Sequence, residues 1–494
     1  MAFVLAPLLL VLLCPFPPLV RAAEHEHGDD YYMVVAVSSL KPKASSYCLG
    51  HRVIPPPNGT WIPVDLPHGP CSLSSSNAAA PPSVAELLRR DQRRADDVQR
   101  RLFISKNGTN DSKDDKPPAD TDESELNTGA RTQVEMGTTA DTDSTAMSFD
   151  PAATVGGSGA APLRPGVIQT VVLDTASDVP WVQCVPCPVP PCHPQTDTFY
   201  DPTKSPTYAA FSCGSPSCRQ LGPYANGCVN NQCQYRVTYP VDGSSTSGTY
   251  SSDLLTLNPN TRINNFKFGC SHVDQGNFDN TTAGIMALGG GPESLASQTA
   301  STYGRAFSYC IPPSASYFGF FVLGMPRAAS SSRYVVTPML RDKRAPATFY
   351  RVQLRAITVG GQRLSVPATV FAAGTVLDSR TSITRLPPTA YQALRDAFRR
   401  SMSMYRAAAP KGSLDTCYDF TGVRSVKLPK VALVFDGDAT VQLDPSGVLF
   451  HDCLAFTSSM DDRMPGILGN VQQQTIEVLY NVGGGSVGFR RNAC

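Results

Sequence analysis

The chain has 494 residues, 41% of them hydrophobic and 17% charged, more than one core usually serves, so two or more packed units are expected. Lys and Arg total 42 against 41 for Asp and Glu, a net charge of +1, which excludes a broad surface for nucleic acid or another polyanion. With 43 Pro, 38 Gly and 8% aromatics, the composition indicates many turns and short strands rather than long helices.

From the N-terminus, Ala2 to Leu13 is a short apolar run, closed by Pro15, Pro17 and Pro18 and followed by Ala22 and Ala23. This layout reads as a secretory signal over residues 1–22. The alternative, a buried N-terminal helix, is ended at once by the prolines. No later stretch is apolar and long enough to span a bilayer, and the tail from Gly488 to Cys494 has no hydrophobic segment, so no membrane anchor is expected.

The 15 cysteines point to an oxidising compartment. Cys14 falls in the signal, Cys48 and Cys71 stand apart, and Cys184, Cys187, Cys192, Cys213, Cys218, Cys228, Cys233, Cys270, Cys310, Cys417, Cys453 and Cys494 lie beyond a polar gap. Even numbers on both sides of the gap suit disulfides closed separately in each part, with a connectivity that spacing leaves open. Cys184 and Cys187, with Cys192 and His193 nearby, also have a zinc-type spacing, the weaker reading in a secreted, Cys-dense chain. Sequons at Asn58, Asn107, Asn110 and Asn280 fit the same route.

Val84 to Leu102 reads as an amphipathic helix, with Val84, Leu87, Leu88, Ala95, Val98 and Leu102 on one face and Arg89, Arg90, Arg93, Arg94, Arg100 and Arg101 crowding the rest. Such a basic helix either covers an acidic cleft until it is cleaved off or is simply a solvated charged face. From Ser105 to about Asp150 the chain is polar and reads as a disordered linker, so residues 23–150 form a pro-segment with its linker. Beyond it, short apolar runs alternate with Gly, Pro, Ser and Asn clusters to Cys494, the pattern of a mostly β architecture. One helix interrupts it, Pro388 to Met404, with Tyr391, Leu394, Ala397 and Phe398 on one face.

An internal echo decides the organisation. Val171-Val172-Leu173-Asp174-Thr175-Ala176-Ser177 returns as Thr375-Val376-Leu377-Asp378-Ser379-Arg380-Thr381. Each copy is followed by an apolar run reaching glycine, Gly284 to Gly289 and Gly466 to Asn470. A repeat this long means two equivalent lobes, expected over residues 151–345 and 346–494. Each lobe then delivers one Asp from a strand end to their interface. Two carboxylates at hydrogen-bond distance share a proton at mildly acidic pH. The ionised one activates a water and the protonated one donates to the carbonyl oxygen of a peptide bond. Thr175 and Ser379 can brace the two loops, and Ser177 and Thr381 can hold the outer carboxylate oxygens.

These residues resemble the pepsin-like aspartic proteases, in particular their plant nepenthesin-like branch. The resemblance lies in Asp174 to Cys184, Gly374 to Ser379, the cysteine-dense insert from Cys184 to Cys233, Gly466 to Gln474, and Val487-Gly488-Phe489 through Cys494. Cys48 to Val53 and Pro81 to Val84 resemble the pro-segment of that branch. The resemblance implies a bilobal, mostly β acid-protease fold with a disulfide-rich insert in the N-terminal lobe. It implies catalytic Asp174 and Asp378, a flap tyrosine at Tyr239 with Trp181 as its hydrogen-bond partner, and a flap hairpin through Asp242 to Gly248. It also implies a monomer in the secretory pathway, extracellular or vacuolar, taking a polypeptide substrate or protein ligand in the interlobe cleft, with no metal or organic cofactor.

Several positions depart from the family pattern. Ala176, Arg380 and Ala287 stand where the family has glycine, and only Gly469 remains of the four glycines at the loop crossings. The added methyls are expected to cost about 1–3 kcal/mol as overpacking. Arg380, placed near Asp378, is expected to hold that carboxylate ionised and so remove the proton the dyad must donate. The flap carries an extra residue and Pro240, and no leading strand is visible between Ala152 and Gln169. These changes predict an impaired aspartic endopeptidase, or alternatively an inactive pseudo-protease or inhibitor-type binding protein on the same scaffold.

Overall fold

Alternation of apolar and polar residues, broken every few positions by glycine and proline, gives short strands, and a computed structural model arranges them in two lobes around a shared sheet. The structure describes residues 31–40, 47–53, 60–73, 82–107, 129–138, 166–239, 244–276, 278, 281–326, 334–342 and 345–494. The signal reading, the sequons at Asn58, Asn110 and Asn280, and the flap tip at 240–243 lie outside them, as does the side chain of Asn107. Among the described residues no helix is long and apolar enough to cross a membrane.

The N-terminal lobe is built on a 9-stranded sheet. At its centre Val167–Asp174 runs parallel to Gly284–Ala287, so that Ala287 stands in register with Asp174. The C-terminal lobe repeats the arrangement, with Thr375–Leu377 parallel to Gly466–Leu468. The two halves of the echo are thus two copies of one local structure. A 6-stranded sheet joins the lobes, pairing Ala306–Cys310 of the first half with Glu477–Asn481 of the second. Phe307, Tyr309, Phe321, Tyr350 and Tyr480 fill the core beneath it. The helix Pro388–Ser401 buries Tyr391, Leu394, Ala397 and Phe398, the face its periodicity selects.

The leading strand is present, and it lies upstream of where the sequence reading looked for it. Arg131–Met136 pairs antiparallel with Val167–Asp174 through six residue pairs, so the first strand of the N-terminal lobe falls before residue 151 and inside the stretch read as linker. Gly137, at φ +69°, ends it in a conformation that favours glycine. The region ahead of it, expected to be a pro-segment, also adds structure of its own. Strand β1, Tyr32–Ala36, pairs with Ser425–Pro429, and strand β2, Trp61–Val64, forms the edge of the 6-stranded sheet against Gly319–Val322.

Among the described residues there are seven disulfides. Cys48–Cys71 closes the pro-segment, Cys184–Cys270, Cys187–Cys192, Cys213–Cys228 and Cys218–Cys233 staple the insert to the N-terminal lobe, Cys310–Cys494 ties the chain end into the joining sheet, and Cys417–Cys453 lies in the C-terminal lobe. These bonds consume the thiols of the zinc-type spacing. His193 instead faces Asp274, with its Nδ1 3.3 Å from a carboxylate oxygen.

Candidate active site

Each Asp-bearing loop is a strand end that turns under its neighbour. The Leu288 N–H donates to the Asp174 carbonyl at 2.8 Å, and the Asp378 N–H donates to the Leu468 carbonyl at 3.2 Å. Asp174 and Asp378 are both fully buried. The loops are braced reciprocally. The Thr175 N–H donates to Ser379 Oγ at 3.1 Å and the Ser379 N–H to Thr175 Oγ1 at 3.0 Å. Each hydroxyl passes its own proton across, Thr175 to the Leu377 carbonyl and Ser379 to the Leu173 carbonyl. Ser177 Oγ donates to Asp174 Oδ2 and Thr381 Oγ1 to Asp378 Oδ2, each at 2.7 Å. Gln473 and Asn470 then fix the C-terminal loop through the Asp378 and Ser379 carbonyls.

The residues that stand for glycine are accommodated differently from one another. Ala176 is fully buried, and its methyl joins a cluster with Val376, Ile467 and Phe349 rather than opening the loop. Ala287 is equally buried beside Asp174. At Gly469 no such room exists, since a Cβ there would lie 2.5 Å from the Ser382 carbonyl oxygen.

Arg380 corrects the expectation built on its sequence position. Its guanidinium reaches across to Asp174, with Nη1 3.0 Å from Oδ2, and the side chain is fully buried. Only its backbone N–H turns to Asp378, at 3.2 Å from Oδ1. The stem runs beside Gly129, where a Cβ would sit 3.0 Å from Arg380 Cγ. The loop geometry explains the crossing. Both carboxylates carry the same local donors, a hydroxyl and an N–H of their own loop, so it is the direction of the Arg380 stem across the loop crossing that brings its guanidinium to Asp174.

A second arginine was passed over among the six on the pro-segment helix. That helix, Val84–Asn107, lies in the cleft over the dyad. Arg94 Nη2 is 2.8 Å from Asp174 Oδ1 and 3.3 Å from Asp378 Oδ1, and its Nε is 3.1 Å from Asp378 Oδ2. One guanidinium therefore spans both carboxylates. Asp91, one turn earlier, is fully buried. It accepts from the Ser382 and Ile383 N–H groups and from Arg385 Nη2 at 2.7 Å. Gln99 donates to the Pro465 carbonyl, and Arg101 donates to the Ala176 carbonyl while lying over the Phe349 ring. Ala95, Val98 and Leu102 complete the contact against Ala176, Val376 and Ile467. The sequence does carry a signal for this, because Asp91 and Arg94 sit at the same three- and four-residue spacing as Leu88, Ala95 and Val98.

The charges follow from the geometry. Burial pushes the Asp174 carboxyl up, but Arg94 and Arg380 beside it, with the Ser177 hydroxyl and the Ala176 N–H, outweigh burial and hold it well below the usual carboxylate range. Burial opposes the charge of Arg94, and Asp174 and Asp378 overcome that opposition. Burial raises Asp91 above its ordinary value despite Arg385 and the two N–H donors. At the cleft's other wall, Trp181 Nε1 donates to Tyr239 Oη at 3.1 Å, and both aromatics are buried. Tyr239 ends the strand Gln232–Tyr239, which pairs with Ser244–Asn258 as a hairpin.

Comparison with known proteins agrees with this architecture. Residues 164–325 match the family model described as xylanase inhibitor N-terminal, and residues 349–491 the one described as xylanase inhibitor C-terminal. An aspartyl protease family protein of Arabidopsis thaliana is 36% identical over 487 residues, covering 96% of this chain and 94% of its own. Aspartic proteinase nepenthesin-2 of Nepenthes gracilis is 32% identical over 345 residues, covering 66% of this chain and 74% of its own. The crystal structure of basic 7S globulin from soybean superposes with a TM-score of 0.54 at 20% identity, over 73% of this chain and 91% of that one.

Proposed function

Since the chain belongs to the plant aspartyl protease family, we propose that it is the latent precursor of an aspartic-type endopeptidase, hydrolysing polypeptides at acid pH in the cleft between its lobes. One observation carries this reading. Two carboxylates braced by four hydroxyls are spanned by the single guanidinium of Arg94, the arrangement expected of a dyad held inactive until its pro-segment leaves. Seven disulfides support a secretory route ending outside the cell or in the vacuole.

Once the helix is gone, Arg380 remains on Asp174 and gives the dyad a fixed polarity. Asp174 stays ionised and takes a proton from a water whose oxygen attacks the scissile carbonyl carbon. Asp378 carries the shared proton and donates it to the carbonyl oxygen. Collapse of the resulting diol returns a hydroxyl proton to Asp378. Asp174 passes its proton to the amide nitrogen as the C–N bond breaks. No metal or organic cofactor enters these steps. Arg380 therefore reduces the freedom of the dyad without taking the proton it must donate.

The same arginine favours a second reading, a binding protein on the protease scaffold, because a guanidinium buried against Asp174 narrows the space around the attacking water. Cleavage of a denatured protein by the chain freed of residues 84–107, measured from about pH 2.5 to 6, separates the two. Acid activity abolished by a pepstatin-type inhibitor and by Asp174→Asn supports the peptidase. A folded, helix-free chain that binds the inhibitor without cleaving supports the binding protein.

A further inference from the structure

We propose that residues 47–53 and 60–73 are a permanent part of the N-terminal lobe, which stays bound when the cleft helix is removed, so that the mature protein consists of two chains. The inference rests on the reading of the helix as a removable plug, and its test is independent of activity.

The pro-segment makes two attachments of different kinds. The first is a sheet. Strand β2 pairs with Gly319–Val322, and Ile62 and Val64 are buried in the core beneath. Around β2 the backbone continues to pair. Leu49 donates to the Ser316 carbonyl, Phe318 to Gly50, and Cys71 to Ala315, while Asp65 and Arg131 exchange both of their backbone bonds. The side chains of these two residues meet as well, with Arg131 Nη2 2.7 Å from Asp65 Oδ2, both closed to solvent, and 2.8 Å from the partly buried Ser72 Oγ. Arg131 opens the leading strand. Losing residues 47–73 therefore exposes the edge of the joining sheet and leaves a buried guanidinium on the leading strand without its carboxylate. Gln133, on the same strand, donates to the Leu73 carbonyl.

The second attachment is the helix, which touches the catalytic loops through Arg94, Asp91, Gln99 and Arg101. Its departure uncovers a cleft lined by carboxylates and backbone polar groups beside the apolar patch of Ala176, Val376 and Ile467, and it completes no sheet. Cys48–Cys71 closes residues 47–73 on themselves and bonds them to nothing else, so after processing they are held by pairing and burial alone. Each processing cut adds one water across a peptide bond on either flank of the helix and changes nothing in the module. Strand β1, earlier in the same fragment, adds a separate anchor on the C-terminal lobe, against Ser425–Pro429.

The test places one recognition sequence for a site-specific protease between Leu73 and Pro82 and another between Asn107 and Gly129 of the full chain. The cut protein is passed over a sizing column at acid pH and high salt, and the fragments are identified by intact mass. The expected result is the helix fragment in the small-peptide fractions and the fragment bearing residues 47–73 with the body. Loss of that fragment, alone or with the helix, overturns the proposal, as does retention of both. Hydrogen exchange on the uncut chain gives a second readout that needs no cutting. Amides of 61–64 are expected to exchange with those of 131–136 and 319–322, at least about tenfold more slowly than those of the helix. Exchange of 61–64 in step with the helix overturns the inference.

Discussion

Arg94 and Arg380 approach Asp174 on different oxygens, Oδ1 and Oδ2, and they differ in permanence, since one rides on the pro-segment and the other on the catalytic loop. The ionisation of Asp174, held below its ordinary range, stabilises the fold above about pH 4. That contribution is lost as the pH falls through the lowered value. In the helix-free chain Arg94 is already gone, and Arg380→Gly removes the cation that remains beside Asp174, so the value rises. The acid limb of a pH profile for catalysis or pepstatin-type inhibitor binding, measured on the helix-free chain, is expected to move upward by about 1–3 pH units. An unmoved limb refutes a fixed polarity. Arg94→Ala acts on the precursor instead. It leaves both carboxylates without their shared guanidinium, and uncut protein is expected to bind the inhibitor at least about tenfold more tightly at acid pH. Calorimetric titration of the two precursors is the check. Of these residues, Asp174 and Asp378 were legible because two copies of one motif are improbable by accident. The direction of Arg380 was not, since the choice between two carboxylates depends on how the loops cross.

At the scale of elements, the cleft helix is fixed at one end by a buried ion pair. Asp91 and Arg385 are each 1% exposed at the side chain, and Arg385 regains water only when the helix leaves. Asp91→Ala therefore penalises the docked state selectively, by about 3–5 kcal/mol for a buried guanidinium left unpaired, at least about 100-fold in the docking equilibrium. Limited trypsin digestion of the precursor is expected to cut the helix at its arginines faster by that factor, with the rest of the body resistant. The two long helices could be read from the sequence because their apolar positions recur at helical spacing. The leading strand Arg131–Met136 was hidden for a physical reason. Its buried positions include Arg131 and Thr132; Arg131 finds its counter-charge in Asp65, 66 residues earlier, and the Thr132 hydroxyl donates to the Pro63 carbonyl. Polar composition alone therefore assigned the strand to a linker.

For the whole molecule, the joining sheet is the element on which both lobes depend, and the chain closes it covalently. Cys310 lies on one of its central strands and is bonded to Cys494 at the chain end, 184 residues away. The bond spans the entire C-terminal lobe, so it restricts the unfolded chain more than any insert disulfide, whose separations run from 5 to 86 residues, although the gain grows only with the logarithm of loop length. In the chain-entropy account a loop of this length is worth about 5 kcal/mol. Replacing both cysteines by serine is expected to lower the unfolding free energy by that order in a denaturant melt. Phe489, buried on the neighbouring terminal strand, should lose its protection first. Disulfides within one lobe fix that lobe's shape, whereas Cys310–Cys494 fixes the end of the chain to the sheet that joins the two lobes. If the serine variant keeps its stability and loses inhibitor binding, the bond acts on the alignment of the dyad rather than on folding. The two melts, with and without inhibitor, distinguish those roles.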